Sequence, residues 1–350
     1  MDLNFTLFPM EKKLNTKFQA LLKKIDNLTS SENLPDKYPQ ILRQFLESYQ
    51  EVIESHGNSL EDFAPIFDCF IDNVKKQFHN PYLFEPYHKH IRTPFDYYQF
   101  GIDFLRPLVD LPHSTVTGEE NLIQIETFLD KKENVILFAN HQIEADPLVI
   151  SMLLEKSHRK FAEDLIFVAG TRVTSDPFAI PFSMGCNLLC IHSKKYIDHP
   201  PEEKHEKQMH NKRTMERMVD LLRAGGHAIY VAPSGGRDRV DSDGVVKVSP
   251  FDPQSIEMFY LMAQKAKQPT HFFPLSLSTH HLLPPPETTE VELGETRITR
   301  GGAIHIHFGK EIDMENFPGS ENIIDKKDKR RIRAEYLWNC VNKEYEKFPK

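Results

Sequence analysis

Val135-Ile136-Leu137-Phe138-Ala139-Asn140-His141-Gln142-Ile143-Glu144-Ala145-Asp146-Pro147 is the stretch on which the reading of this chain turns. Five consecutive apolar residues are too few for a helix and have the unbroken apolarity of a strand covered on both faces. Asp146-Pro147 then offers N-cap and N1 chemistry for a helix, with Asp146 as the cap. The order is strand, turn, helix, and His141 falls in the turn at the carboxyl end of the strand. In open α/β sheets that crevice is where ligands bind, so an imidazole five residues before a carboxylate is placed for acid–base chemistry. Residues five apart on a regular helix point roughly 140° apart. His141 and Asp146 therefore meet only if the residues between them turn. Spacing by itself is a weak signal: with seventeen histidines in the chain, an H-x4-D match arises roughly once by chance. The plainer alternative is a helix cap beside an ordinary turn histidine.

Outward from this stretch the pattern differs on the two sides. Residues 1–85 read as a helical bundle domain. Leu14, Phe18, Leu21, Leu22 and Ile25 form an apolar stripe over Met10 to Ile25, Ile41, Phe45, Tyr49 and Ile53 form a second, and Phe63 to Phe78 carries a third. A Tyr-, His- and Pro-rich passage from Pro81 to Pro94 marks the boundary. Residues 86–350 then alternate strand and helix, the signature of a mixed, mostly parallel sheet flanked by helices. Helices are expected at Phe95–Val109, Glu119–Asp130, Ser255–Lys267 and Ile332–Tyr345. Strands are expected at Leu165–Ala169, Asn187–His192, His227–Ala232, Phe272–Ser276 and Ala303–Phe308. Pro200 to Arg213 is strongly charged and reads as solvated, leading to a helix face at Met215, Met218, Val219 and Leu222 that Gly225-Gly226 stops. The fold class is thus α/β, preceded by a small all-helical domain.

Composition narrows the function classes. At 350 residues, 39% hydrophobic and 27% charged, the chain is ordinary globular material able to bury a large core. A net charge of −8 argues against nucleic-acid binding. No run approaches the eighteen or so apolar residues of a transmembrane helix, and Met1-Asp2-Leu3-Asn4-Phe5 lacks the blocks of a signal peptide, so a chain made without export is expected. Four cysteines, Cys69, Cys186, Cys190 and Cys340, do not make a disulfide framework. His305 and His307 alternate on one strand and His280-His281 follow another, but no clear third ligand accompanies them and no metal site is assigned.

Three strand ends carry the chemistry. If the sheet is parallel, His141, Lys194-Lys195 and Arg237-Asp238-Arg239 line one rim. Arg237 and Arg239, two apart in extended backbone, project to one side, and Gly235-Gly236 lets main-chain N–H groups approach a ligand. Guanidinium forks and the Lys195 ammonium suit a phosphate held beside the imidazole. Read singly, such basic residues are solvated surface charges; their shared position after strands gives them weight. The composite calls for a phosphorylated alcohol, whose hydroxyl proton an imidazole titrating at about 6.5 can remove. Ser234, in Ala232-Pro233-Ser234-Gly235-Gly236, is not in a G-x-S-x-G elbow. Direct attack by the substrate hydroxyl on an activated acyl group fits better than an acyl-enzyme.

Asn140-His141 with Asp146, Thr174-Ser175-Asp176-Pro177 through Pro181-Phe182-Ser183-Met184-Gly185, Ser193-Lys194-Lys195, and Ala232-Pro233-Ser234-Gly235-Gly236-Arg237-Asp238-Arg239 together resemble the soluble, plastid-type glycerol-3-phosphate 1-O-acyltransferases, within the glycerolipid acyltransferase superfamily. The resemblance covers roughly residues 90 to 310, and its last motif is the most specific. It implies transfer of a fatty acyl group from acyl-acyl-carrier protein, or less readily acyl-CoA, to the sn-1 hydroxyl of glycerol 3-phosphate, giving lysophosphatidate for phospholipid synthesis. His141 would be the base, Asp146 its orienting partner, and Lys195, Arg237 and Arg239 the phosphate clamp. No cofactor beyond the acyl carrier is implied. Tyr196 stands where the family pattern has His, so Tyr196, like Ser234, is a weak candidate. A monomer in the cytoplasm, or in the plastid stroma if the chain is a processed one, is expected. The rival readings are a lysophosphatidate acyltransferase, for which no interfacial segment is found, and a phosphate-ligand or lipid-carrier binding protein without turnover.

Overall fold

A computed structural model describes residues 16–32, 34–193, 197–286, 293–321 and 323–349. Its centre is an eight-stranded sheet. In chain order the strands are β1 (Tyr87–His88), β2 (Thr115–Thr117), β3 (Asn134–Ala139), β4 (Ile166–Gly170), β5 (Asn187–Ile191) and β6 (Ala228–Val231), then a small hairpin of β7 (Arg239–Val240) and β8 (Val246–Lys247), then β9 (Thr270–Ser278) and β10 (His305–Phe308). Across the main sheet they lie β1-β5-β4-β6-β3-β9-β10-β2. From β5 to β9 all neighbours are parallel. The edges break the rule, with β1 antiparallel to β5 and β10 antiparallel to β9.

The alternation of β3 shows why the sheet is buried on both faces. Val135, Leu137 and Ala139 enter one apolar core and Ile136 and Phe138 the other, as the two-residue period of a strand dictates. The first core takes in α1 (Thr16–Glu32), α2 (Lys37–Ser55), α3 (Leu60–His79), α4 (Tyr97–Leu105), α5 (Glu119–Asp130), α6 (Asp146–Leu154) and α7 (Arg159–Asp164). Two short helices, α8 (Thr171–Ser175) and α9 (Ile180–Ser183), follow β4, and Phe178 and Phe182 carry the same core across them. The second core is closed by α10 (Lys204–Ala224), α11 (Pro253–Ala266) and α12 (Lys326–Tyr345) through Met218, Leu222, Phe259 and Leu337.

The amino-terminal helices are joined to the sheet unit by aromatic packing. The Phe70 ring on α3 lies 5.3 Å from Phe182 and 5.1 Å from Phe104. The Tyr49 hydroxyl on α2 donates to the Phe104 carbonyl at 2.8 Å. One apolar cluster therefore runs from Leu21 to Phe308.

Three differences from the expected elements have local causes. The helix expected to reach Val109 stops at Leu105 and continues as a 3-10 turn over Arg106–Leu108, because Pro107 supplies no N–H to a helical ladder. The charged passage before Arg213 is helical from Lys204 onward, with Lys207 paired to Glu203 at 3.1 Å, so a solvated face and not a coil accounts for its polarity. The strands β1 and β2, two and three residues long, are too short to show a period.

Phe70→Ala is expected to cost about 3–5 kcal/mol, the usual penalty for emptying a buried aromatic position, and to lower a single cooperative unfolding transition in urea. A separate early transition, leaving the sheet's unfolding unchanged, would show that the shared aromatic cluster does not couple the two parts.

Candidate active site

The backbone leaves β3 at Asn140 and re-enters regular structure at Asp146, and side chains satisfy the turn between. His141 Nδ1 lies 2.8 Å from Asp146 Oδ2. The same oxygen accepts the N–H groups of Gln142 at 2.8 Å and Ile143 at 3.3 Å, and Asp146 Oδ1 accepts the Thr279 hydroxyl at 2.6 Å. Asp146 is 0% exposed. A carboxylate only accepts, so the hydrogen shared with the ring belongs to Nδ1 and the Nε2 lone pair is left for proton transfer. The His141 side chain is 28% exposed. The imidazole is reachable from solvent while its carboxylate partner is not.

Asp146 is not a helix cap. The N-cap position is Ala145 and α6 starts at Asp146 itself. Its carboxylate turns back to the N–H groups of the preceding turn instead of forward to those of the helix. The negative charge still lies at a helix N-terminus, where the dipole favours it.

Two amides fasten the turn to β9. The Asn140 side chain donates to the Leu277 carbonyl at 2.9 Å and accepts the Leu277 N–H at 2.8 Å, replacing the strand neighbour that the departing backbone no longer provides. Gln142 Oε1 accepts the N–H groups of Thr279 at 2.6 Å and His280 at 3.0 Å. The Tyr230 hydroxyl donates to the Asn140 carbonyl at 2.7 Å. Burial, then the charges of His281, Arg300 and Arg239, push the His280 imidazole down to about 4. It is neutral around pH 7 and adds no cation to the rim.

The loop after β6 lies next to this turn because β6 neighbours β3. Arg237 and Arg239 both reach toward the connection between β9 and β10. Arg237 Nη2 donates to Glu295 Oε2 at 2.6 Å, and Arg239 donates to the Pro286 carbonyl. Glu295, 2% exposed, also pairs with Arg172. Arg297 lies 2.9 Å from Glu144 and 3.2 Å from Asp176, and Arg237 lies 3.8 Å from Glu144. Arg172, Arg237 and Arg297 are thereby interleaved with Glu144, Asp176 and Glu295, equal numbers of opposite charge on largely buried side chains. Burial pushes the Asp176 carboxyl up, but Arg297 and the N–H groups of Phe178 and Gly294 outweigh it and hold the group below its usual range.

Ser234 Oγ donates to the Gly236 carbonyl at 2.9 Å, a bond within its own turn. Lys195 and Tyr196 lie outside the described residues. His305 and His307 are placed against Thr115 and Thr117, each at 2.9 Å, on the far side of β9 from β3. Sequence reasoning passed over Gln142, Thr279, Glu144 and Glu295. Nothing in the local spacing marks them, since each acts on a residue far along the chain. Among the described residues no helix is long and apolar enough to cross a membrane.

Residues 113–278 match the family described as Acyltransferase. A chloroplastic glycerol-3-phosphate acyltransferase of Cucurbita moschata is 36% identical over 330 residues, covering 93% of this chain and 71% of its own length. Those of Spinacia oleracea and Arabidopsis thaliana are 36% and 34% identical over 331 residues, covering 93% and 94% of this chain and 70% and 72% of theirs. A solved 1-acyl-sn-glycerophosphate acyltransferase of Thermotoga maritima aligns at TM-score 0.40 and 19% identity over 73% of this chain and 80% of that one, too distant to add to these. Identity of about a third along nearly the whole chain places it: the chain belongs to the chloroplastic-type glycerol-3-phosphate acyltransferase family.

Proposed function

We propose that this chain transfers a fatty acyl group from a carrier thioester to the sn-1 hydroxyl of glycerol 3-phosphate, giving 1-acyl-sn-glycerol 3-phosphate, the first step of phospholipid synthesis. The observation that carries the reading is the 2.8 Å contact between His141 Nδ1 and the fully buried Asp146 carboxylate. Asp146 holds the tautomer in which Nε2 is the basic atom, and it stabilises the imidazolium that forms on proton transfer. Nε2 takes the sn-1 hydroxyl proton as the oxygen attacks the thioester carbonyl. A tetrahedral intermediate forms, the carbon–sulfur bond breaks, and the imidazolium returns the proton to the departing thiol. One ester is made for one thioester consumed, and no covalent enzyme intermediate is needed.

The acyl carrier is acyl-acyl-carrier protein, or acyl-CoA, and no other cofactor enters the chemistry. Lys195, Arg237 and Arg239 supply the positive charge for the substrate phosphate. A guanidinium has five donors, so Arg237 can keep Glu295 on one edge and offer another to a phosphate oxygen. The chain works as a monomer in an aqueous compartment, cytoplasm or plastid stroma, the latter matching the chloroplastic names of its relatives.

His141→Ala is expected to lower the rate by about 10²–10⁴-fold, the usual contribution of a positioned acid–base group, while glycerol 3-phosphate binding measured by calorimetry stays within about threefold. Unchanged turnover would contradict the assignment, and a chain that binds glycerol 3-phosphate yet acylates nothing in the parental form would support the non-catalytic alternative. Asp146→Ala should also destabilise the fold by about 2–4 kcal/mol, because it strands the buried Gln142 and Ile143 N–H groups and the Thr279 hydroxyl. Denaturation midpoints for Asp146→Ala and His141→Ala that coincide would remove that structural role.

A further inference from the structure

Asp238 sits between Arg237 and Arg239, yet its side chain faces the opposite way from theirs. It is 0% exposed and lies under the His141 turn. Asp238 Oδ2 accepts the side-chain N–H groups of Asn140 at 2.9 Å and Gln142 at 3.2 Å. Oδ1 accepts the Ser249 N–H at 2.8 Å, and the Asp238 N–H donates to the His141 carbonyl at 2.6 Å. The residues before and after His141, and His141 itself, are thus all held by residue 238. The amide orientations follow from the network, since Asn140 Oδ1 and Gln142 Oε1 are already taken by backbone N–H groups of residues 277, 279 and 280.

Among the described residues no cation pairs with Asp238. A buried carboxylate without one is costly, and burial does push its carboxyl above the usual range, against the pull of the N–H groups of Ser249, Asn140 and Gln142 and of the nearby His141. Three donors converge on two oxygens here. An amide in this place offers one acceptor only, so its NH2 would face either the Ser249 N–H or the two side-chain amides.

We propose that Asp238 is a positioning residue for the reaction, acting through Asn140 and Gln142 to hold the His141 imidazole in register with the arginine loop that carries the proposed phosphate clamp. The proposal rests on the reading of His141 as the base. It makes one residue a mechanical link between two functions, beside the looser Arg237–Glu144 contact at 3.8 Å: through Asp238 the loop that binds the acceptor is tied to the turn that deprotonates it.

The test is a double-mutant cycle with glycerol 3-phosphate and an acyl-CoA donor, using Asp238→Asn, Asp146→Asn, the double variant, and His141→Ala as control. Two groups acting through one imidazole give losses that do not multiply. Asp238→Asn should lower kcat by about 10–100-fold with KM for glycerol 3-phosphate within about threefold, and should cost the Asp146→Asn enzyme no more than about a further threefold. Losses that multiply in full, a kcat within about threefold of the parent, or a raised KM at constant kcat would overturn the proposal. If the Asp238→Asn chain does not fold, Gln142→Met, which removes one of the two amide links, enters the same cycle under the same limits. A His141→Ala enzyme that keeps its turnover would sink the base assignment itself, whereas an inactive His141→Ala beside a near-parental Asp238→Asn would sink the role of Asp238 alone.

Discussion

A backbone that leaves a buried sheet must still satisfy every N–H and C=O it carries, and the turn from Asn140 to Ala145 meets that demand with side chains. Asp146 accepts from four groups: the imidazole, two turn N–H groups and the hydroxyl of Thr279, the residue just past the neighbouring strand. Asn140 takes the place of a ladder partner against Leu277, and Gln142 caps the end of β9. Because each of these groups is buried, loss of any one leaves a donor or acceptor without water to replace its partner. The position of the His141 ring is therefore a by-product of hydrogen-bond satisfaction in the core, and it is fixed before any substrate arrives. Preorganisation of this kind is what a general base needs to act without reorganising at the moment of reaction.

The charge pattern beside the turn obeys a related constraint. Arginine is charged at any ordinary pH, so burying Arg172, Arg237 and Arg297 near one another requires equal carboxylate charge, which Glu144, Asp176 and Glu295 provide. These partners come from the turn after β3, from the α8–α9 segment and from the connection between β9 and β10, so the network ties three separate chain segments to the rim. A rim rich in arginine can then keep its geometry without the repulsion that unpaired guanidinium groups would impose.

Much of this was legible in the sequence where one segment carries its own signal. The unbroken apolar run of β3, the following Asp-Pro and the strand–helix alternation gave the parallel sheet and put His141 at a strand end. The Gly235-Gly236-Arg237-Asp238-Arg239 motif stood out because its glycines and arginines are local. The role of Asp146 as a cap was misplaced by one residue, since capping chemistry and a turn-facing carboxylate share the same residue type and differ only in which N–H groups they meet. Gln142, Thr279 and Glu295 had no local mark, because their partners are settled by which strands become neighbours: β9 lies beside β3, and Thr279, the residue just after β9, is separated from its partner Asp146 by more than a hundred residues of intervening chain. The edge strands β1 and β2 were invisible for a different reason, being too short for any period to show.

The central claim is that Asp146 holds His141 in the Nδ1–H tautomer with Nε2 as the basic atom. Nitrogen-15 NMR of histidine-labelled protein, with the His141 resonances assigned by their loss in His141→Ala, measures this directly. At a pH where the ring is neutral, the account predicts a protonated Nδ1 and an Nε2 shift typical of an unprotonated ring nitrogen, with that pattern lost in Asp146→Asn. A neutral His141 ring found with its proton on Nε2 would contradict it.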